Sequence, residues 1–170
     1  GTMVALEVDG EPAVGVIAFP VLGEIVYAAV GSGAWWATNA NNAVGISDLD
    51  RHQAKVSVVG HLMDAGLSTT DLAYYFQTTD GGHQWQRLLR KVKIARGFSD
   101  CYGHYLVATG RVDIHVDPEM SVWDNAPLMP IVEEAGGRFT DLAGVATIYG
   151  GSGVSTNGLL HDAVLAELRS

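Results

Sequence analysis

DPEMSVWDNAPLMPIVEEAGG, residues 117–137, reads as the end of a strand, a turn, and a helix that closes on a glycine pair. Asp117 and Asp124 frame the turn, with Trp123 wedged beside the second carboxylate. Gly136-Gly137 follows Glu133-Glu134-Ala135 where a residue just past the last helical turn favours the left-handed conformation. A carboxylate at the mouth of a strand-to-helix turn can serve in two ways. Ser121-Val122-Trp123-Asp124 has the spacing of a capping box, in which both side chains satisfy orphan backbone N–H groups. The same carboxylate can hold a hard cation such as Mg²⁺, which takes oxygen ligands and few protein ones. Spacing alone favours the cap. Pro127 lacks an N–H and is comfortable in a first turn, so a helix beginning at about Asp124 accommodates it, whereas Pro130 predicts a kink.

Outward from this stretch, strands and helices alternate on either side of it. Asp100 stands where an N-cap belongs, before a helix over Cys101–Ala108 that stops at Gly110. Arg111 to Val116 alternates as a strand, which puts His115 on the solvent side, while His104 reads as a packed or surface histidine and Cys101 as a buried small side chain. Arg138–Leu142 and Val154–Asn157 read as strands, and Leu159–Leu168 as a closing helix. Upstream, Lys93–Phe98 is a short strand, and His83–Val92 has Trp85, Leu88, Leu89 and Val92 at helical spacing. Asp71 to Tyr75 reads as a helix start broken by Thr78–Gly82. The first half differs in kind. Thr2–Val8 and Ala13–Phe19 flank an Asp9-Gly10 hairpin signal, Glu24–Val30 follows, and Gly31-Ser32-Gly33 turns into Ala34-Trp35-Trp36. Gly15, Gly31 and Gly33 read as bulge and turn markers, since no G-x-G-x-x-G frame is present. Lys55–Val59 and Ala65–Thr70 add two short strands. The expected fold is a layered α/β protein with a mixed sheet, one domain over 1–170, with a meander and helix in 1–92 and mixed α/β structure in 93–170.

Composition narrows the function without naming it. The chain has 170 residues, 48% of them hydrophobic and 17% charged, which suits one globular domain with a real core. A net charge of −9 argues against a nucleic-acid backbone as partner. It permits a phosphorylated small molecule only where metal ions stand between the two negative charges. Cys101 is the single cysteine, so no disulfide framework or cysteine-based zinc site exists. That fits a reducing, cytoplasmic setting. No apolar run approaches the ~18–20 residues of a membrane span. GTMVALEVDG opens directly on what reads as a core strand, so an N-terminal portion is expected to be missing. The exposed strand would then favour a homo-oligomer, a dimer in the simplest case.

ARGFSDCYGHYLVATGRVDIHVDPEMSVWDNAPLMPIVEEAGGRFTDLAG, residues 95–144, resembles the inositol monophosphatase family. Its W-D-x-A followed by E-A-G-G is similar to that family's C-terminal signature, and GFSDCYGHYLVATGR looks most like the branch that hydrolyses histidinol phosphate. DGEPAVGVIAFPVLGEIVYAAVGSGAWW, residues 9–36, is similar to the strands beyond the family's main metal motif. The resemblance implies alternating helix and sheet layers and Mg²⁺-dependent hydrolysis of a phosphate monoester by metal-activated water. It implies that Asp124 ligates the metal and is catalytic. Asp117 would grip substrate hydroxyl or amine groups, and Asp100 and Arg96 would contact the organic part of the substrate. The residues themselves leave alternatives open: Asp100 can be a cap, and Asp117 before Pro118 can begin a turn. A paired-glutamate helix and a D-P-x-D-G-T turn, the family's other metal motifs, are absent from the sequence, and Gly1-Thr2 is not a remnant of the latter. The 170 residues alone are therefore expected to be inactive or nearly so. Two further readings stand beside this one: a phosphatase of inositol phosphate or another sugar phosphate, and a non-catalytic module that acts by association.

Overall fold

The computed structural model of the chain describes residues 1–73, 81–97 and 100–169. Strands β1 (Thr2–Val8) and β2 (Glu11–Phe19) pair antiparallel, Val8 opposite Glu11. Asp9 and Gly10 between them both take positive φ, 53° and 86°, as a two-residue hairpin matched to strand twist requires. The meander continues through β3 (Glu24–Ala29), β4 (Ala34–Thr38) and β5 (Asp50–Gln53), giving a sheet ordered β1-β2-β3-β4-β5. A second sheet contains β6 (Gly66–Thr69), β7 (Ile94–Gly97), β8 (Ile114–Asp117), β9 (Arg138–Thr140) and β10 (Gly153–Thr156), in the order β7-β6-β8-β10-β9. β6 runs parallel to β7 and β8, and the β8–β10 and β10–β9 pairs are antiparallel. The mixed α/β architecture is the expected one. The change of sheet falls between Gln53 and Gly66, so β6 belongs with the mixed sheet.

Four helices complete the described layers: α1 (Gly81–Lys91), α2 (Cys101–Ala108), α3 (Val122–Glu134) and α4 (His161–Arg169). α3 packs against β1, β2 and β3 on one side and against β9 and β10 on the other. Its neighbours Ile17, Val26, Tyr105 and Phe139 form one core with Leu128 and Ile131. α1 and α4 pack together elsewhere, where Trp85, Leu88 and Val164 meet Leu67 and Ile114 of the second sheet. No helix among the described residues is long and apolar enough to cross a membrane.

α3 departs from expectation at its start. It begins at Val122 with Ser121 as N-cap, so Pro127 and Pro130 both lie inside it. Each interior proline costs roughly 3 kcal/mol of helix stability. Eight consecutive residues from Asn125 to Val132 are buried between the sheets, and burying a side chain the size of Leu or Ile stabilises by about 1.5–3 kcal/mol. Packing outweighs the local cost. Trp123 is not wedged against anything: it is 73% exposed.

Other readings also needed correction. β1 is no core strand in this chain, because it is the edge of its sheet and Val4 (61%), Leu6 (55%) and Val8 (50%) face outward. Lys55–Val59 forms no strand. It crosses between the sheets, held by bonds such as Val56 N–H to the Ala135 carbonyl at 3.1 Å. The strand beside β4 is instead the fully exposed Asp50–Gln53, whose polar sequence carries no strand signal. The strand expected over Arg111–Val116 is displaced to Ile114–Asp117 and buried at every position, so His115 is enclosed and does not face solvent. Leu72 and Ala73 are helical, in line with a helix start at Asp71, whereas Gly81-Gly82, read as part of its breaker, open α1. Residues 74–80 between them lie outside the described residues, as do Phe98 and Ser99.

Gly15 marks neither bulge nor turn. It pairs in register with Ala5 and Ala28, and a Cβ there would sit 2.1 Å from the Pro127 carbonyl oxygen of α3. A helix backbone this close leaves room only for hydrogen. We expect Gly15→Ala to destabilise the protein by about 1–3 kcal/mol through overpacking, read as a lower denaturant midpoint at constant slope. An unchanged midpoint would show that α3 and β2 are not in this contact.

Candidate active site

Three strand and helix ends meet in one cleft. β6 and β8 are parallel neighbours with Ser68 opposite His115, so the residues just beyond, Thr70 and Asp117, meet at the carboxyl ends of the strands. Clefts outside such ends are the usual ligand position in open α/β sheets. Thr70 donates to Asp117 twice, from its N–H to Oδ1 at 2.8 Å and from its hydroxyl to Oδ2 at 2.9 Å. The same hydroxyl oxygen accepts the Asp100 N–H at 2.9 Å. Thr70 therefore ties the start of α2 to the end of β8.

The cleft has a volume of about 240 Å³, and its lining includes Thr70 and five carboxylates: Asp71, Asp100, Asp117, Glu119 and Asp124. Among the described residues, no lysine or arginine lines it. A larger cavity of about 710 Å³ lies on the outer side of the first sheet, with Arg51 as its one charged lining residue. Its walls are largely apolar, with Val14, Val16 and Ile25 beside Tyr27, and no carboxylate or histidine is among its described lining residues.

Of the residues picked out by sequence, Asp100, Asp117 and Asp124 come together at this cleft, and Arg96 is not among its lining residues. The Arg96 guanidinium donates to the carbonyl of Ala95 at 2.7 Å. Asp100 occupies the N-cap position of α2, yet its side chain makes no capping bond, and its backbone takes φ 52°, ψ −140°. Such a conformation is costly for a residue with a Cβ and recurs at ligand clamps. The cap reading of Asp124 is the one the structure contains: its Oδ2 accepts the Ser121 N–H at 3.2 Å, closing the capping box. The residue also borders the cleft.

Sequence reading missed what stands behind Asp117. His115 Nε2 lies 3.0 Å from Asp117 Oδ2, and His104 Nε2 lies 3.5 Å from the same oxygen. Both imidazoles are fully buried. His104 Nε2 has no hydrogen-bond partner. Burial holds the His104 pKa down to about 4, assisted by the neighbouring His115. For Asp117, burial alone would raise the carboxyl pKa, but the two imidazoles outweigh it and keep the group ionised well below the usual carboxylate range. The one local hint was Gly103 inside a helix: a Cβ there would sit 2.0 Å from the His115 ring. Cys101 is buried as expected, and burial pushes its thiol up, which leaves it no role as a nucleophile.

Comparison with known proteins gives a consistent result. Residues 1–170 match the inositol monophosphatase family. A histidinol-phosphatase of Mycobacterium tuberculosis is 40% identical over 170 residues, covering 99% of this chain and 62% of that protein. A histidinol-phosphatase of Chlorobaculum parvum is 37% identical over 169 residues, covering 99% and 60%. A solved Thermotoga maritima IMPase superposes with a TM-score of 0.80 at 28% identity, covering 98% of this chain and 59% of that one. The chain thus spans about three-fifths of the length of the relatives it matches.

The buried histidines make stability pH-dependent. His161, buried between the Thr140 and Thr156 hydroxyls at 3.0 Å each, is pushed from 6.5 down to about 4, by burial first and then by Arg138. An unfolded chain binds protons at such a site more tightly than the folded one. Its contribution is therefore complete above pH 6.5 and is lost as pH falls toward 4, with His104 acting in the same direction. We expect the thermal midpoint to fall across this window as about 3 kcal/mol of stability per histidine is lost, and His161→Gln to flatten the acid limb. Equal slopes in the two proteins would remove His161 as the cause.

Proposed function

The chain belongs to the inositol monophosphatase family, and from that premise we propose that it forms the substrate-gripping part of a Mg²⁺-dependent phosphomonoesterase acting on histidinol phosphate. The observation that carries this reading is the unrelieved acidity of the cleft, with five carboxylates and no basic residue among its described lining residues. Histidinol phosphate presents an ammonium and an imidazole at one end and a phosphate at the other. Asp117, ionised and fixed by Thr70, suits the cationic end, with Asp100 opposite on the first turn of α2. A phosphate dianion entering the same cleft would be repelled unless a cation stood between the charges. Asp124 would hold that cation, at the N-terminus of α3 where its own backbone N–H groups also favour anions. When bound, Mg²⁺ supplies activation of water and neutralisation of charge on the phosphate oxygens. The protein's part is to orient the substrate through Asp100 and Asp117 and to hold Asp124 in place through Ser121.

The top curated relatives carry the name histidinol-phosphatase, which supports this substrate over inositol phosphate. Within these 170 residues Asp124 is the metal ligand the family signature supplies; the paired-glutamate helix and D-P-x-D-G-T turn are not in the sequence. One carboxylate with water ligands holds Mg²⁺ loosely. We therefore expect phosphate release from histidinol phosphate by the 170-residue chain to stay near background at every Mg²⁺ concentration. Joined in cis to a segment bearing both motifs, it should turn over histidinol phosphate in preference to inositol phosphate. Preference for inositol phosphate would overturn the substrate assignment, and robust turnover by the chain alone would overturn the ligand count.

In that joined protein, Asp124→Asn should lower kcat at least about a hundredfold, the loss of several kcal/mol of charge stabilisation. Asparagine keeps an acceptor for the Ser121 N–H, so the unfolding midpoint should move little. Retained kcat would confine Asp124 to its capping role.

A further inference from the structure

Behind the cleft, His104 and His115, to which the proposed hydrolysis gives no ligand, converge on Asp117, the carboxylate it uses from the cleft side. One nitrogen from His104, one from His115 and an oxygen of Asp117 lie within 4.8 Å of one another, and all three residues are buried. We propose that His104, His115 and Asp117 bind a transition-metal ion of the Zn²⁺ class, at a position separate from the hard-cation ligand Asp124. Bonds of about 2.1 Å from one ion place neighbouring ligand atoms about 3.0 Å apart at right angles and about 3.4 Å apart at tetrahedral angles. The observed separations from Asp117 Oδ2 are 3.0 Å for His115 Nε2 and 3.5 Å for His104 Nε2, which match these two values, and no pair of the three donors is more than 4.8 Å apart.

The remaining ring nitrogens are already committed. His115 Nδ1 lies 2.7 Å from the Ser68 hydroxyl, and His104 Nδ1 lies 2.6 Å from the Ser155 hydroxyl. Metal-binding histidines are oriented in this way, by a hydrogen bond on the nitrogen that does not bind. His104 Nε2 supplies an independent observation: it is fully enclosed, aimed at the cluster and without a hydrogen-bond partner. A buried polar atom in that state is costly, and an ion would satisfy it. Two imidazoles with one carboxylate suit zinc and its transition-metal neighbours over Mg²⁺, which demands oxygen. Asp117 borders the cleft, so a water completing the coordination has a route in. Because His104 belongs to α2 and His115 to β8, the ion would clip the helix to the sheet.

The test is titration of the metal-stripped 170-residue chain with Zn²⁺ by calorimetry, with Co²⁺ as a visible-absorption probe. One ion per chain should bind, raise the thermal midpoint, and persist in millimolar Mg²⁺. His104→Gln should weaken binding more than about a hundredfold and Ser155→Ala, one step removed, about tenfold. Asp124→Asn should leave Zn²⁺ affinity unchanged, which separates this site from the hydrolytic one. Exposed His52, His61 and His83 can bind zinc weakly, and that background should survive in His104→Gln. If the variant binds as the parent does, or if Asp124→Asn is the change that abolishes binding, the site is overturned. Should His104→Gln fail to fold, imidazole ¹⁵N spectra of the parent decide: Nε2 resonances of His104 and His115 must shift at one equivalent of Zn²⁺, and stationary resonances refute the site.

Discussion

Helix α3 is clamped at both ends by groups from elsewhere in the chain, and the cleft exists because of it. At its N-terminus the Met120 N–H reaches the Gly151 carbonyl at 2.8 Å, the Ser121 N–H reaches Asp124, and the Asn125 amide bridges the carbonyls of Ile148 and Ser152 at 3.1 and 3.2 Å. At its C-terminus Glu134 receives the N–H groups of Gly31 and Gly33 at 2.7 and 2.6 Å. An anion there opposes the helix dipole, at roughly 0.3–1 kcal/mol. Two hydrogen bonds to a charged group, at about 1.5–3 kcal/mol each, outweigh that. Gly31-Ser32-Gly33 is the turn between β3 and β4 that its glycines announce, and its N–H groups hold a carboxylate of the protein itself. The contact joins the first sheet to the helix whose other end carries Asp124, so the meander far from the cleft helps fix the position of its carboxylate.

Local signals in the sequence placed several residues of the cleft without giving them a chemistry. Asp124 and Ser121 stand at a capping spacing within a single turn, Asp100 stands before a helix, and Asp117 ends a strand ahead of a proline. The family resemblance, not these signals, singled the aspartates out as a site. Thr70, His104 and His115 could not be found that way. Thr70 and His115 are brought together by the parallel pairing of β6 with β8, which joins residues 47 apart, and His104 by the packing of α2 over β8 and β10; no local period encodes either. The misreading of His115 has the same root. Alternation assigns one face of a strand to solvent only when that face is bare, and β8 lies between β6 and β10 with α2 packed over it. Strands enclosed on both faces lose the alternating pattern as a guide. β5 shows the converse, since four exposed polar residues pair as a strand solely because β4 offers them an edge.

The fold thereby sorts donor types by depth. At the cleft edge the donors are carboxylate oxygens, beginning with Asp124, on residues still reached by solvent. One shell further in, Asp117 faces both ways: its oxygens take the Thr70 donors beside the cleft, while Oδ2 also faces two enclosed imidazoles. That second contact decides its charge. A carboxylate buried alone would hold its proton, and a neutral Asp117 could not attract a cationic group. The imidazoles reverse the balance and keep Asp117 ionised at the wall of the cleft. His115 also explains why Gly103 must lack a side chain: its ring occupies the space a Cβ would need. The charge at the end of β8 and the tight packing of α2 against that strand therefore meet in one buried ring.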